Sequence, residues 1–201
     1  MNRRYSRKEL FHGLFDQLRE TAGRAIKPTP EPVRPLLRPP GALFPDPAYL
    51  AACTGCEKCV AACPPAALFM TEVAGRRVAV LSPARQPCLL CDGLPCIAAC
   101  PDGALAPLAA PRHVRIGVAL VDPRRCVTFS GRACDACLAA CPLPDVAIRQ
   151  IHGRPMVIPD GCTGCGLCEA ACPERPRAIT VVAERELIPG VRLPKIAPRA
   201  G

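Results

Sequence analysis

Cys53-Thr54-Gly55-Cys56-Glu57-Lys58-Cys59-Val60-Ala61-Ala62-Cys63-Pro64 and Cys162-Thr163-Gly164-Cys165-Gly166-Leu167-Cys168-Glu169-Ala170-Ala171-Cys172-Pro173 are two copies of one pattern. Four cysteines stand at steps of three, three and four, and a proline follows the last. Two more runs keep the pattern with one loop enlarged. The first is Cys88, Cys91, Cys96, Cys100 and Pro101, with four residues between Cys91 and Cys96. The second is Cys126, Cys134, Cys137, Cys141 and Pro142, with seven residues between Cys126 and Cys134. The chain has 16 cysteines, and these runs contain all of them. The hexapeptide Cys-x-Ala-Ala-Cys-Pro therefore occurs at Cys59–Pro64, Cys96–Pro101, Cys137–Pro142 and Cys168–Pro173, an internal repeat that chance does not give. After each copy comes Ala followed by Leu or Ile: Ala67-Leu68, Ala104-Leu105, Ala147-Ile148 and Ala178-Ile179.

Three chemistries compete for so many thiols. Disulfides need an oxidising compartment and suit long-range stapling rather than tight runs. Zinc sites show separated Cys or His pairs, and none of His12, His113 and His152 lies inside a run. The three-three-four spacing with its proline is that of bacterial [4Fe–4S] ferredoxins. Three closely spaced cysteines wrap one face of a cube, with loop amides aimed at its sulfurs. The fourth begins a short helical turn leading away to a different cube, and the proline stops that turn. Gly55, Gly164 and Gly166 sit where the backbone must approach a cluster. In two-cluster ferredoxins the fourth cysteine of each run ligates the other cluster. With runs one and two as one pair, Cys53, Cys56, Cys59 and Cys100 hold one cluster, and Cys88, Cys91, Cys96 and Cys63 the second. With runs three and four as the other pair, Cys126, Cys134, Cys137 and Cys172 hold the third cluster. Cys162, Cys165, Cys168 and Cys141 hold the fourth.

Outward from the runs, the composition agrees. Half of the 201 residues count as hydrophobic, yet there is no Trp, and only two Tyr and five Phe. An apolar core would be thin, and 26 Pro and 15 Gly interrupt long elements. The formal charge of +9 counts thiols as neutral. Thiolates and four oxidised cores together contribute about −8, leaving the loaded protein near +1. That excludes a nucleic-acid reading based on charge. No phosphate-binding or dinucleotide loop and no catalytic triad is present, so the chain reads as an electron carrier and not an enzyme. Asp92, Asp135 and Asp160 read as turn or cap residues.

Residues 1–27 form a basic segment in which Leu10, Phe11, Leu14, Phe15, Leu18, Ala22 and Ile26 share one helical face over 7–27. The helix packs on the body or a partner; contact with a membrane surface is the sharper reading. Residues 28–47 carry eight prolines and predict an extended strap or linker. Residues 48–110 and 111–184 are the first and second bicluster modules, joined near 106–121, and 185–201 is a basic tail. Strands are expected at Arg77–Leu81, Val114–Val121, Ala147–Ile151, Pro155–Ile158 and Ile179–Val182. The fold class is α+β, with two ferredoxin-like modules.

Over residues 38–183 the chain resembles the NapG/MauM ferredoxin-type family. The resemblance is carried by Arg38-Pro39-Pro40-Gly41-Ala42, by the insertion ending Leu94-Pro95-Cys96, and by Gly117–Asp122. It also includes Cys126-x7-Cys134-Asp135-x-Cys137 and the run Cys162–Glu169. It implies four [4Fe–4S] clusters and single-electron transfer between redox protein partners, often beside a membrane-bound quinol-oxidising subunit. Two alternatives are the electron-transfer subunit of a larger membrane-associated oxidoreductase, and an accessory factor in maturing a redox enzyme. Members of the NapG type usually carry a twin-arginine export signal. Here Arg3-Arg4 precedes a stretch broken by Asp16, Arg19, Glu20 and Arg24, with no apolar h-region. A cytoplasmic location is therefore expected, as in the related NapF type, which lacks the insertion seen here in run two.

Overall fold

The computed structural model describes residues 37–183. The helix expected over 7–27, residues 28–36 of the proline-rich strap and the basic tail lie outside them. Each cysteine run builds the same local unit: a loop, then one turn of helix. Helix α1 (Asp46–Ala52) leads into run one. Helices α2 (Lys58–Ala61), α3 (Pro95–Ala98), α4 (Ala136–Ala139) and α5 (Leu167–Ala171) each carry the third cysteine of a run at their second position. The fourth cysteine follows the helix end. This corrects the expectation that the fourth cysteine starts the turn. The physical reason is spacing: four residues cover about one helical turn and about 6 Å of axis, so the helix lies between the two cysteines and separates them along its length.

Strands alternate with these turns. Strands β1 (Leu68–Val73) and β2 (Arg76–Leu81) form an antiparallel hairpin with Leu68 opposite Leu81. Strands β4 (Ile148–Ile151) and β5 (Arg154–Val157) form another, with Ile148 opposite Val157. Both close through two residues at positive φ, Ala74-Gly75 and His152-Gly153, the geometry that matches strand twist in tight hairpins. Strand β3 (Val118–Val121) pairs antiparallel with β6 (Ile179–Val182). Strand β1 was not expected, because its run Leu-Phe-Met-Thr-Glu-Val lacks alternation and follows directly on the repeat. The strand expected over Val114–Val121 is cut to its second half, since Pro111–His113 form a 3-10 turn just before.

The two halves follow one plan. In the second, β3 before run three pairs with β6 after run four. In the first, Ala42 before run one bridges Leu105 after run two. The described part of the proline-rich strap is built into the body. Leu37 exchanges both backbone hydrogen bonds with Leu81, at 3.0 and 2.9 Å. Leu37, Pro39 and Pro40 are fully buried. A single apolar cluster runs from Leu37 to Ala183 and counts Cys88, Cys96, Cys162, Cys165, Cys168 and Cys172 among its buried members. The cysteines therefore occupy the place that large apolar side chains hold in an ordinary core.

Candidate metal centres

The repeated helices bring the cysteines together in four groups. One cavity is lined by Cys53, Cys56, Cys59 and Cys100, with Tyr49, Met70 and Leu105 in its wall. A second is lined by Cys63, Cys88, Cys91 and Cys96, against Pro40, Leu68 and Leu94. A third is lined by Cys126, Cys134, Cys137 and Cys172, against Val121, Val127 and Ile179. The fourth is lined by Cys141, Cys162, Cys165 and Cys168, against Ala119, Ile148 and Val181. Each cavity takes three cysteines from one run and one from the neighbouring run. The helix between the third and fourth cysteine makes this so, because it carries the chain from one cavity to the next.

The chemistry of these cavities fits [4Fe–4S] clusters. Four thiols line each one, the ligand count of such a cluster. All sixteen cysteines are free. Among the described residues no group of three or more His, Cys, Asp or Glu could hold a single metal ion.

The charges that raise each thiol come mostly from its own cavity, with Cys165 also acting on Cys88 and Cys137 on Cys168. Burial pushes the Cys59 thiol up to about 11, and the charges of Cys53, Cys100 and Cys56 add to it. Cys96 rises to about 11 through burial and then Cys63. Cys137 rises to about 11 through burial, Cys126 and Cys134. Cys88 reaches about 12, mainly by burial. Cys168 is raised further still, by burial and by Cys165, Cys162 and Cys141. Four thiols in one apolar cavity cannot ionise cheaply by themselves; a cluster core supplies the positive charge that makes four thiolates tolerable.

Hydrogen-bond donors face the sulfurs. The amides of Ala67 and Ala178 donate to the Sγ atoms of Cys63 and Cys172, at 3.3 and 3.4 Å. These are two of the alanines that the repeat marks, so their place was visible in the sequence but their role was not. The amides of Leu90, Leu143 and Leu167 favour the thiolates of Cys88, Cys141 and Cys165, in each case from two residues further on. Buried Thr128 sets its hydroxyl 3.2 Å from the Cys126 sulfur. Tyr49 is buried beside the first cavity and donates its hydroxyl to Ala79 O at 2.6 Å. Buried Glu169 accepts from the Val181 amide at 2.8 Å, tying α5 to β6. Sequence reading missed Thr128 and Tyr49, since a lone hydroxyl near a cysteine in sequence carries no signal of its direction.

Gly164 and Gly166 have positive φ, +71° and +85°. A side chain on Gly164 would overlap the backbone of Gly117, and one on Gly166 would overlap Pro83. Gly164 and Gly166 also line the fourth cavity and Gly55 the first, so the same glycines meet neighbouring chain segments and border a thiol-lined space.

The family described as 4Fe-4S dicluster domain matches residues 52–104, and that described as 4Fe-4S binding domain matches residues 155–176. A methylamine utilization ferredoxin-type protein MauM, from Methylorubrum extorquens, is 44% identical over 165 residues, covering 75% of this chain and 74% of that protein. MauM of Methylophilus methylotrophus is 35% identical over 204 residues, covering 92% and 89%. The ferredoxin-type protein NapG of Escherichia coli is 39% identical over 163 residues, covering 73% and 70%. No solved structure matches the chain.

Proposed function

From the premise that the chain belongs to the ferredoxin-type protein family of MauM and NapG, and is thus an iron–sulfur electron-transfer protein, we propose that it holds four [4Fe–4S] clusters. One cluster sits in each four-cysteine cavity. The ligands are Cys53, Cys56, Cys59 and Cys100; Cys63, Cys88, Cys91 and Cys96; Cys126, Cys134, Cys137 and Cys172; and Cys141, Cys162, Cys165 and Cys168. The observation that carries this reading is the grouping of the cavity linings, three cysteines from one run and one from its neighbour. A bound cluster accepts or gives up one electron. The chain's own residues supply the thiolates, the amide and hydroxyl donors to sulfur, and the apolar walls that exclude water. Its partners are redox proteins. A membrane-bound quinol-oxidising subunit as one of them is the finer part of the proposal, and an anaerobic pull-down tests it.

Iron and sulfide analysis of reconstituted protein tests the count, with about sixteen of each expected per chain. A reproducible value near half of that rejects it. Electron paramagnetic resonance tests the grouping. Cys100→Ala should disturb the same signal as Cys56→Ala, and Cys63→Ala a different one. If Cys63→Ala and Cys56→Ala disturb the same signal, each run is self-contained and the ligand sets are wrong.

A further inference from the structure

The loop that opens run two and the loop of run four meet through backbone. The Cys88 amide donates to the Cys165 carbonyl at 2.8 Å. Beside this bond Gly166 lies so close to Pro83 that a Cβ would overlap the ring, and Arg177 Nη1 donates to Ala84 O at 3.4 Å. Cys88 lines the second cavity and Cys165 the fourth. These two cavities therefore adjoin through one direct contact between cysteine backbones. The other adjacencies follow from the short helices. Helices α2 and α3 link the first cavity to the second, and α4 and α5 link the third to the fourth.

Burial gives an independent observation. Of the cysteines lining the fourth cavity, Cys162, Cys165 and Cys168 are buried, and of those lining the second, Cys88 and Cys96 are. None of the four lining the first is buried, and Cys56 is exposed. In the third only Cys172 is buried.

We propose that the four sites form a line in an order that differs from sequence order. The Cys53 site stands at one end, followed by the Cys88 site, the Cys162 site and, at the other end, the Cys126 site. Cys88 and Cys165 are the positioning residues of the central joint, and the two end sites are those that redox partner proteins reach. The one-electron step makes and breaks no bond: a reduced partner loses one electron at one end, and an oxidised partner gains it at the other. The joint supplies a continuous path from one cysteine sulfur through its backbone and one hydrogen bond to the other sulfur. The proposal rests on the four-cluster reading.

Full-length protein with Cys56→Ala and Cys134→Ala loses one ligand at each end site and keeps four at each middle site. Reconstituted and fully reduced with dithionite, it should give a broadened, spin-coupled paramagnetic resonance spectrum. The counterpart with Cys91→Ala and Cys162→Ala, which keeps the end sites, should give two independent signals. Coupling in the second variant, in both or in neither overturns the order. If the variants lose all iron, the unaltered holoprotein decides. Ferricyanide added until half the iron is lost should strip the exposed end sites first, and the clusters left should still couple on reduction. Independent signals there overturn the order. Iron content separates the two failures: about sixteen iron with the wrong pair coupled rejects only the order, while about eight in unaltered protein rejects the four-cluster reading.

Discussion

Thr128 shows how one side chain tunes a site. Its hydroxyl lies 3.2 Å from the Cys126 sulfur in a buried position. A donor to sulfur stabilises the more negative, reduced state of a cluster. Thr128→Val keeps the shape and removes the donor. It should lower one reduction potential by on the order of tens of millivolts, with iron content unchanged. A redox titration followed by paramagnetic resonance reads this; an unmoved or raised potential contradicts the assignment. Gly164 carries a different constraint, since its φ is +71° and Gly117 blocks any side chain. Gly164→Ala should cost about 3 kcal/mol, from left-handed strain plus a backbone clash. Anaerobic calorimetry of the holoprotein should then find Tm lower by roughly 6 to 12 °C.

The recurring element is a single helical turn between two cysteines. By itself such a turn is unstable, because four residues fall far short of what an isolated helix needs. It is held by a cysteine at either end and by the strands it packs on. Helix α1 works differently. It is tied to β2 by the Tyr49 hydroxyl, which donates to Ala79 O at 2.6 Å in a buried place. Tyr49→Phe leaves that carbonyl without this partner and should cost about 1 to 2 kcal/mol. Thermal unfolding of loaded protein should shift down by about 2 to 8 °C. The iron content should stay the same, and a loss of one cluster would show instead that Tyr49 supports ligation.

At the scale of the whole molecule the core is one apolar cluster with thiol-lined spaces inside it. Without clusters those spaces have nothing to pack against. Chelation should therefore leave the chain largely unfolded or molten, because cluster binding supplies folding energy. Circular dichroism of cluster-free protein checks this, and a cooperative transition matching that of loaded protein would contradict it. The pH dependence has a definite sign. Folding raises Cys59, Cys96 and Cys137 from 9.0 to about 11 and Cys88 to about 12. The folded cluster-free chain thus keeps protons that the unfolded chain gives up, so its stability is present below pH 9 and falls as pH rises from 9 to 12. Any compactness the cluster-free form retains should be lost over that window, as size-exclusion chromatography at stepped pH will show. Loaded protein, with its cysteines held as thiolates, should show no such loss.

The sequence by itself determined the chemistry. Sixteen cysteines in four runs, each ending in proline, leave little room for any reading but clusters, and the repeat places two short elements around each run. Five of the six strands among the described residues were legible because β-branched stretches are local properties. Strand β1 was not, since its pairing with β2 rests on a partner that the local pattern does not announce. Which donor faces which sulfur was equally hidden: Thr128 and the amides of Ala67 and Ala178 acquire their direction only when the turn beside them closes. The strap at Leu37–Pro40 reads as a linker from its prolines, and it became core because Leu81 offered it a free strand edge. The meeting of Cys88 with Cys165 belonged to the tertiary structure alone. It joins residues far apart in sequence through backbone atoms, which are the same in every residue and leave no trace in the identity of side chains.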